Sequence, residues 1–148
     1  MAHFVKIALV IIAVVGGLKL FGIGPFSDPD AGRSLGSLLS RASAESKDKV
    51  VVLLTGTDWC PYCMELERDV LNSPEWQEFA RNEIVFESYE YPAMNRPKSG
   101  VRGEMLAKFN IEGFPTMVVL DKWGKVLGQQ AGYGGMSTGQ MKSWISEL

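Results

Sequence analysis

The chain has 148 residues, a formal charge of −2, 46% hydrophobic residues, one histidine and two cysteines. That is enough apolar material for one domain with an ordinary core plus an appendage, and the near-neutral charge gives no electrostatic reason to expect a nucleic-acid partner. The chain is also poor in soft metal ligands, because the sole histidine, His3, stands far in sequence from Cys60 and Cys63.

The appendage comes first. From residue 4 to residue 23 the chain is apolar apart from Lys6 and Lys19. A spanning helix needs about 20 residues, so residues 1–23 predict a signal anchor that meets a membrane through residues 4–23, with Lys19 snorkelling to the interface. A cleaved signal peptide is the second outcome. Pro25 disfavours a cut after Gly24, and the small residues Ala42, Ser43 and Ala44 lie well beyond the apolar run. With so short an amino-terminal tail, the expected orientation leaves that tail in the cytoplasm and exports the rest, to the periplasm in a bacterium. Cleavage would make the same domain a secreted one. Residues 24–33, with Pro25 and Pro29, read as a flexible linker, and residues 34–148 as the folded domain. Leu35, Leu38, Leu39 and Ala42 recur at helical spacing, which predicts either a helix on the domain edge or a juxtamembrane stalk.

Residues 49–55 form a short apolar, β-branched run, the pattern of a strand buried on both faces. Trp59, Cys60, Pro61, Tyr62 and Cys63 follow, and Met64, Leu66, Val70 and Leu71 then keep helical spacing. Pro61 suits the first helical turn, where its missing N–H would have had no partner, so the cysteines stand at the amino end of a helix. Unpaired N–H groups and the helix dipole stabilise an anion there, making Cys60 more acidic than a free thiol of pKa about 8.5. Cys60 is then the nucleophile. Cys63, one turn on, can attack a mixed disulfide formed on Cys60 and release it. The same two residues could instead be half of a zinc site or a structural bridge, but the chain offers few further ligands, and so short a loop constrains the unfolded state little.

Ser73 followed by Pro74 and Glu75 predicts a helix start, with Trp76, Phe79 and Ala80 on one stripe. Residues 84–89 read as a strand. Residues 91–100, with Pro92, Pro97 and Gly100, form a long polar loop that is either a partner-selecting element or a tolerated insertion. Met105, Leu106 and Phe109 mark a helix ending near Asn110. Gly113, Phe114, Pro115 and Thr116 precede the apolar run 117–120, and a proline at that point suits a tight connection, cis in one reading. Residues 121–124 predict a hairpin turn leading to a strand at 125–129, with Trp123 at its tip as a contact residue or a partly covered aromatic. Tyr133 and its neighbouring glycines read as a mobile connection. Ser137 and Gln140 have capping-box spacing ahead of Met141, Trp144, Ile145 and Leu148. The acidic residues between Glu65 and Glu90 read as ordinary exposed faces.

Residues 59–63 and 114–116 together resemble the thioredoxin superfamily, over roughly residues 47–148. The resemblance implies an α/β thioredoxin-like fold, a central mixed sheet flanked by helices. It further implies that Pro115 packs beside the Cys60–Cys63 pair and discourages metal binding there, that the backbone of Phe114 pairs with an extended substrate, and that Trp59 shields one side. Pro61 and Tyr62 are the inner dipeptide of many glutaredoxins, whereas Trp59 and the stretch from Asp58 to Glu90 look more like secretory and periplasmic thioredoxin-like domains. Two positions depart from the family. Leu54 stands where many thioredoxins bury an aspartate that serves the resolving thiol, and Met64 replaces a frequent lysine. Asp58 or Glu65 is a candidate substitute for proton transfer, or simply a solvated acid.

The resulting expectation is a membrane-anchored, extracytoplasmic thiol-disulfide oxidoreductase that acts on protein thiols or disulfides, is recycled by a redox partner and needs no dissociable cofactor and no metal. Its expected site is Cys60 and Cys63 as the catalytic pair, supported by Trp59, Pro61, Tyr62, Phe114 and Pro115. Two rivals use the same residues: a glutaredoxin-like protein that binds glutathione or an iron-sulfur cluster, and a non-catalytic thioredoxin-like interaction module.

Overall fold

A computed structural model describes residues 28–148. The expected anchor and residues 24–27 of the linker lie outside the described residues. Among the described residues, no helix is long and apolar enough to cross a membrane.

Four strands form one sheet: β1 Lys49–Thr55, β2 Ile84–Glu90, β3 Thr116–Asp121 and β4 Val126–Ala131, in the spatial order β2-β1-β3-β4. β2 runs parallel to β1, while β3 is antiparallel to β1 and β4 antiparallel to β3. Among the described residues, five α-helices cover it: α1 Leu35–Ala44, α2 Pro61–Leu66, α3 Pro74–Asn82, α4 Gly100–Lys108 and α5 Thr138–Glu147. A π-helical turn, Glu67–Leu71, extends α2.

β1 is apolar from Val50 to Leu54 because both of its faces are covered. Val50, Val52 and Leu54 point to the side of α1 and α4, where they pack with Leu38, Ala42, Met105 and Phe109. Val51 and Leu53 point to the other side and join Leu66, Val70, Trp76, Met141 and Ile145 of the α2, α3 and α5 layer. The two-residue period of a strand thus divides one apolar run between two cores. β4 is an edge strand, half-buried to exposed along its length. It begins at Val126 and runs to Ala131, displaced from the expected 125–129 where the register shifts between Val119 and Leu120.

The helix boundaries have local causes. Ser34, Ser73 and Ser137 cap α1, α3 and α5 through their hydroxyls, and Ser137 and Gln140 form the complete capping box. α4 stops at Lys108, slightly earlier than expected, and Asn110 adopts the left-handed φ of 49° that ends helices. Of the two readings of α1, the structure has the packed helix: Leu38 and Ala42 are fully buried against the sheet.

Two expectations are corrected. Tyr133 is not a mobile connector, since it is buried in the α2, α3 and α5 core and its hydroxyl donates to the Met136 carbonyl. The described end of the linker is likewise tied to the domain. Asp28 accepts from the backbone of Val101 at 2.6 Å, and buried Asp30 ion-pairs with both Arg33 and Arg102.

Candidate active site

The sheet topology gathers three loops at one edge. β1 ends at Thr55 opposite Glu90, the last residue of parallel β2, and Leu54 stands opposite Thr116, the first residue of antiparallel β3. The segments following β1 and β2 and preceding β3 therefore converge. They carry Trp59 to Cys63, Tyr91 to Ser99, and Phe114 with Pro115.

The turn after β1 is fixed by backbone bonds from Trp59 and Cys60 to the Gly56 carbonyl. Glu90 secures it from β2, its two carboxylate oxygens accepting from the Thr57 backbone N–H and hydroxyl, each at 2.9 Å. Cys60 is the N-cap of α2, and Pro61 occupies the first turn, as the sequence predicts. Cys60 and Cys63 are joined as a disulfide with Cα atoms 5.2 Å apart, and both are buried. The Cys63 backbone N–H points at Cys60 Sγ at 3.2 Å, so the first sulfur receives a helix-terminal donor.

Pro115 is buried and follows a cis peptide bond from Phe114. The Phe114 carbonyl oxygen lies 3.6 Å from Cys60 Sγ, and the Pro115 carbonyl accepts from Gly132 at 2.7 Å. The proline loop and the cysteine pair, about fifty residues apart in sequence, are thus in contact.

Trp59 is half-buried and its indole N–H donates to the Tyr91 carbonyl at 2.7 Å. Its ring meets Phe114 edge to face at 5.8 Å, and Phe114 in turn packs on Tyr91 at 5.2 Å. Gly56 lies directly under the indole: a Cβ there would fall 2.5 to 2.8 Å from ring atoms. Tyr91 is buried, and desolvation raises its phenol pKa above the ordinary value. Its hydroxyl donates to the Arg102 carbonyl.

Tyr62 stands apart from this aromatic wall. It is 64% exposed and borders an open cleft of about 350 Å³ with Glu65, Gln130 and Tyr133. Of the two candidate acids, Asp58 is exposed and Glu65 half-buried. Leu54 is wholly buried in the apolar layer, so that position carries no proton acceptor.

The structure therefore brings Trp59, Cys60, Cys63, Phe114 and Pro115 together, with Pro61 shaping the helix start and Tyr62 on the outer rim. Sequence reasoning singled out the 91–100 loop without naming Tyr91 or Arg96 as site residues, and it missed Glu90; the Arg96 guanidinium carbon sits 4.6 Å from the Phe114 ring centre. The signal for them was the parallel pairing of β2 with β1, which puts the carboxyl ends of both strands on the same edge.

Comparisons with known proteins agree with this architecture. Residues 39–148 match the thioredoxin-like domain family. The chain is 28% identical over 109 residues to the disulfide bond reductase DsbH of Chlamydia pneumoniae, covering 72% of this chain and 63% of the relative. It is 28% identical over 116 residues to the thiol:disulfide interchange protein DsbD of Actinobacillus pleuropneumoniae, covering 78% of this chain and 19% of the relative. The match thus spans less than two thirds of either protein's length. Among solved structures, a DsbH oxidoreductase superposes with a TM-score of 0.65 at 23% identity, covering 77% of this chain and 80% of that one. The C-terminal domain of Neisseria meningitidis DsbD does so with a TM-score of 0.59 at 18% identity, covering 82% and 96%. Family match and fold coincide over the cysteine pair and the proline loop, and the chain belongs to the thioredoxin-like domain family.

Proposed function

We propose that the chain is a thiol-disulfide oxidoreductase that exchanges electrons with protein thiols and disulfides through Cys60 and Cys63, on the extracytoplasmic side of a membrane. The observation that carries this reading is the position of Cys60 Sγ, at the start of α2, beneath the Cys63 N–H and 3.6 Å from the Phe114 carbonyl.

In the reducing direction, the Cys60 thiolate attacks one sulfur of a substrate disulfide. A bond forms between Cys60 and that sulfur, the substrate S–S bond breaks, and the departing sulfur leaves as a thiolate that takes up a proton. Cys63 then loses its proton and attacks Cys60 Sγ. The substrate's second thiolate departs and is protonated, two electrons have passed to the substrate, and the Cys60–Cys63 disulfide remains. The helix-terminal N–H stabilises the Cys60 thiolate that makes the first attack. With Leu54 buried where a carboxylate would serve Cys63, half-buried Glu65, beyond the first turn of α2, is the nearest acid in sequence for that proton. No dissociable cofactor enters the cycle, and a separate redox partner restores the dithiol.

The likeness to a protein named as a disulfide bond reductase favours the reducing direction. The apolar segment 4–23 and the likeness to the Dsb proteins favour a membrane-tethered protein whose catalytic domain works outside the cytosol.

The test is a Cys63→Ser variant. It should accumulate mixed disulfides on Cys60 that a reductant releases, while the native pair reduces insulin in a turbidity assay. Cys60 should also alkylate with a midpoint below about 8.5, the ordinary thiol value. An ordinary midpoint together with a flat insulin assay would overturn the proposal.

A further inference from the structure

Resting on the oxidoreductase reading, we infer that Arg96 is a specificity-determining residue that favours substrate polypeptides with an aspartate or glutamate beside the reacting cysteine. Arg96 belongs to the long loop between β2 and α4, and that loop is held in place at both ends. Tyr91 donates its backbone N–H to the Thr55 carbonyl at 2.8 Å and its hydroxyl to the Arg102 carbonyl at 3.0 Å. At the other end the Lys98 backbone seats on Gly103, where a Cβ would fall 2.5 Å from the Lys98 carbonyl carbon. Asn95, with a left-handed φ of 56°, turns the chain immediately before Arg96.

The guanidinium carbon of Arg96 lies 4.6 Å from the Phe114 ring centre and 5.9 Å from that of Trp59. Both aromatic residues belong to the wall beside Cys60, and the carbonyl of Phe114 is the one 3.6 Å from Cys60 Sγ. The cation thus stands on the rim that an incoming cysteine must pass. Stacking on aromatic faces orients the guanidinium and leaves its N–H edges available for a planar, two-point contact.

Charge pairing elsewhere in the domain sharpens the point. Arg33, Arg41, Arg68 and Arg102 each hold a carboxylate of this chain. Among the described residues no carboxylate reaches ion-pair distance of Arg96, which is exposed. The other arginine without such a partner, Arg81, lies in the last turn of α3, where its backbone carbonyl accepts from Lys47. A two-point guanidinium-carboxylate contact is the strongest hydrogen-bonded pairing open to a side chain in that position.

The experiment is single-turnover reduction of two disulfide-linked peptides by the pre-reduced full chain. The peptides are identical except for Glu or Gln next to the cysteine. The native protein should prefer the Glu peptide about tenfold at low salt, the preference shrinking several-fold in 0.5 M salt, as expected for one exposed charge-assisted contact. Arg96→Gln should abolish the ratio, Arg96→Lys should retain part of it, and Arg96→Glu should restore speed on a Lys-bearing peptide. Because each ratio is taken on one protein sample, a partly unfolded variant does not mimic the result. Equal rates on both peptides with the native protein, or an equal slowing of both by Arg96→Gln, would overturn the inference. So would an acidic preference seen only with glutathione disulfide. Reaction with neither peptide nor a small aromatic disulfide would instead overturn the oxidoreductase reading itself.

Discussion

Trp59 shows how one side chain is set by its neighbours. Its indole rests on Gly56, donates to the Tyr91 carbonyl and meets the edge of Phe114, so three loops fix one ring. Gly56→Ala would place a methyl group within 2.5 to 2.8 Å of that ring, and the ring would have to leave. The expected outcome is a loss of about 1–3 kcal/mol of stability in urea titration, typical of overpacking, with an altered tryptophan emission. Disulfide exchange should slow in the same variant, since the wall beside Cys60 is displaced. Unchanged emission and stability would show that the indole is free to move.

At the scale of elements, the helices are held by their caps and their buried faces together. α5 begins at Ser137, whose hydroxyl accepts from the Gln140 N–H while the Gln140 side chain returns a bond to the Ser137 N–H. Its buried residues Thr138, Met141 and Ile145 then close the core under β1 and β3. Ser137→Ala should lower stability by about 1 kcal/mol, because the cap is lost while the apolar face is untouched. Equilibrium denaturation checks this, and Cys60 reactivity should stay at its native level because the capping bonds join Ser137 only to Gln140. α2 has a different logic. Its cap is the sulfur of Cys60 itself, so the helix start and the redox centre are one feature.

Over the whole molecule, the segment before α1 is strapped to the domain through buried charge. Asp30 is 5% exposed and bridges Arg33 to Arg102, and Arg102 also donates to the Glu90 carbonyl beside the site. Asp30→Ala leaves two half-buried guanidinium groups without that partner and should destabilise the fold by about 2–3 kcal/mol, somewhat below a fully buried pair, as read from the urea midpoint. The same region sets an alkaline limit. Burial raises the Tyr89 phenol to about 12, and burial raises Tyr91 as well. Each folded-state pKa stands above its unfolded value of about 10, so this contribution is complete below pH 10 and fades as pH rises toward about 12. Urea midpoints should therefore fall between about pH 10 and pH 12, and fall less in Tyr89→Phe. A midpoint independent of pH across that interval would contradict it. On the acid side, the backbone bond from Val101 lowers the Asp28 carboxyl, and that contribution fades as pH drops through the folded value.

What the amino-acid order determined by itself was local. The strand at 49–55, the placement of Cys60 and Pro61 at a helix start, the serine caps and the proline loop all follow from periodicity and backbone restriction over a few residues. Joining Cys60 to Pro115 required only that two recognisable signals belong to one family pattern. Other features waited for the tertiary structure. Tyr133 lies among glycines that read as a loose connector, yet the core between α2 and α5 takes up its ring. Asp28 and Asp30 sit in a proline-containing stretch with the composition of a spacer, yet they find Val101, Arg33 and Arg102 on elements dozens of residues away. Arg96 and Tyr91 belong to the site only because β2 lies parallel to β1. Strand order and register are long-range choices, set by which apolar faces can be buried together, and a local pattern carries no record of them.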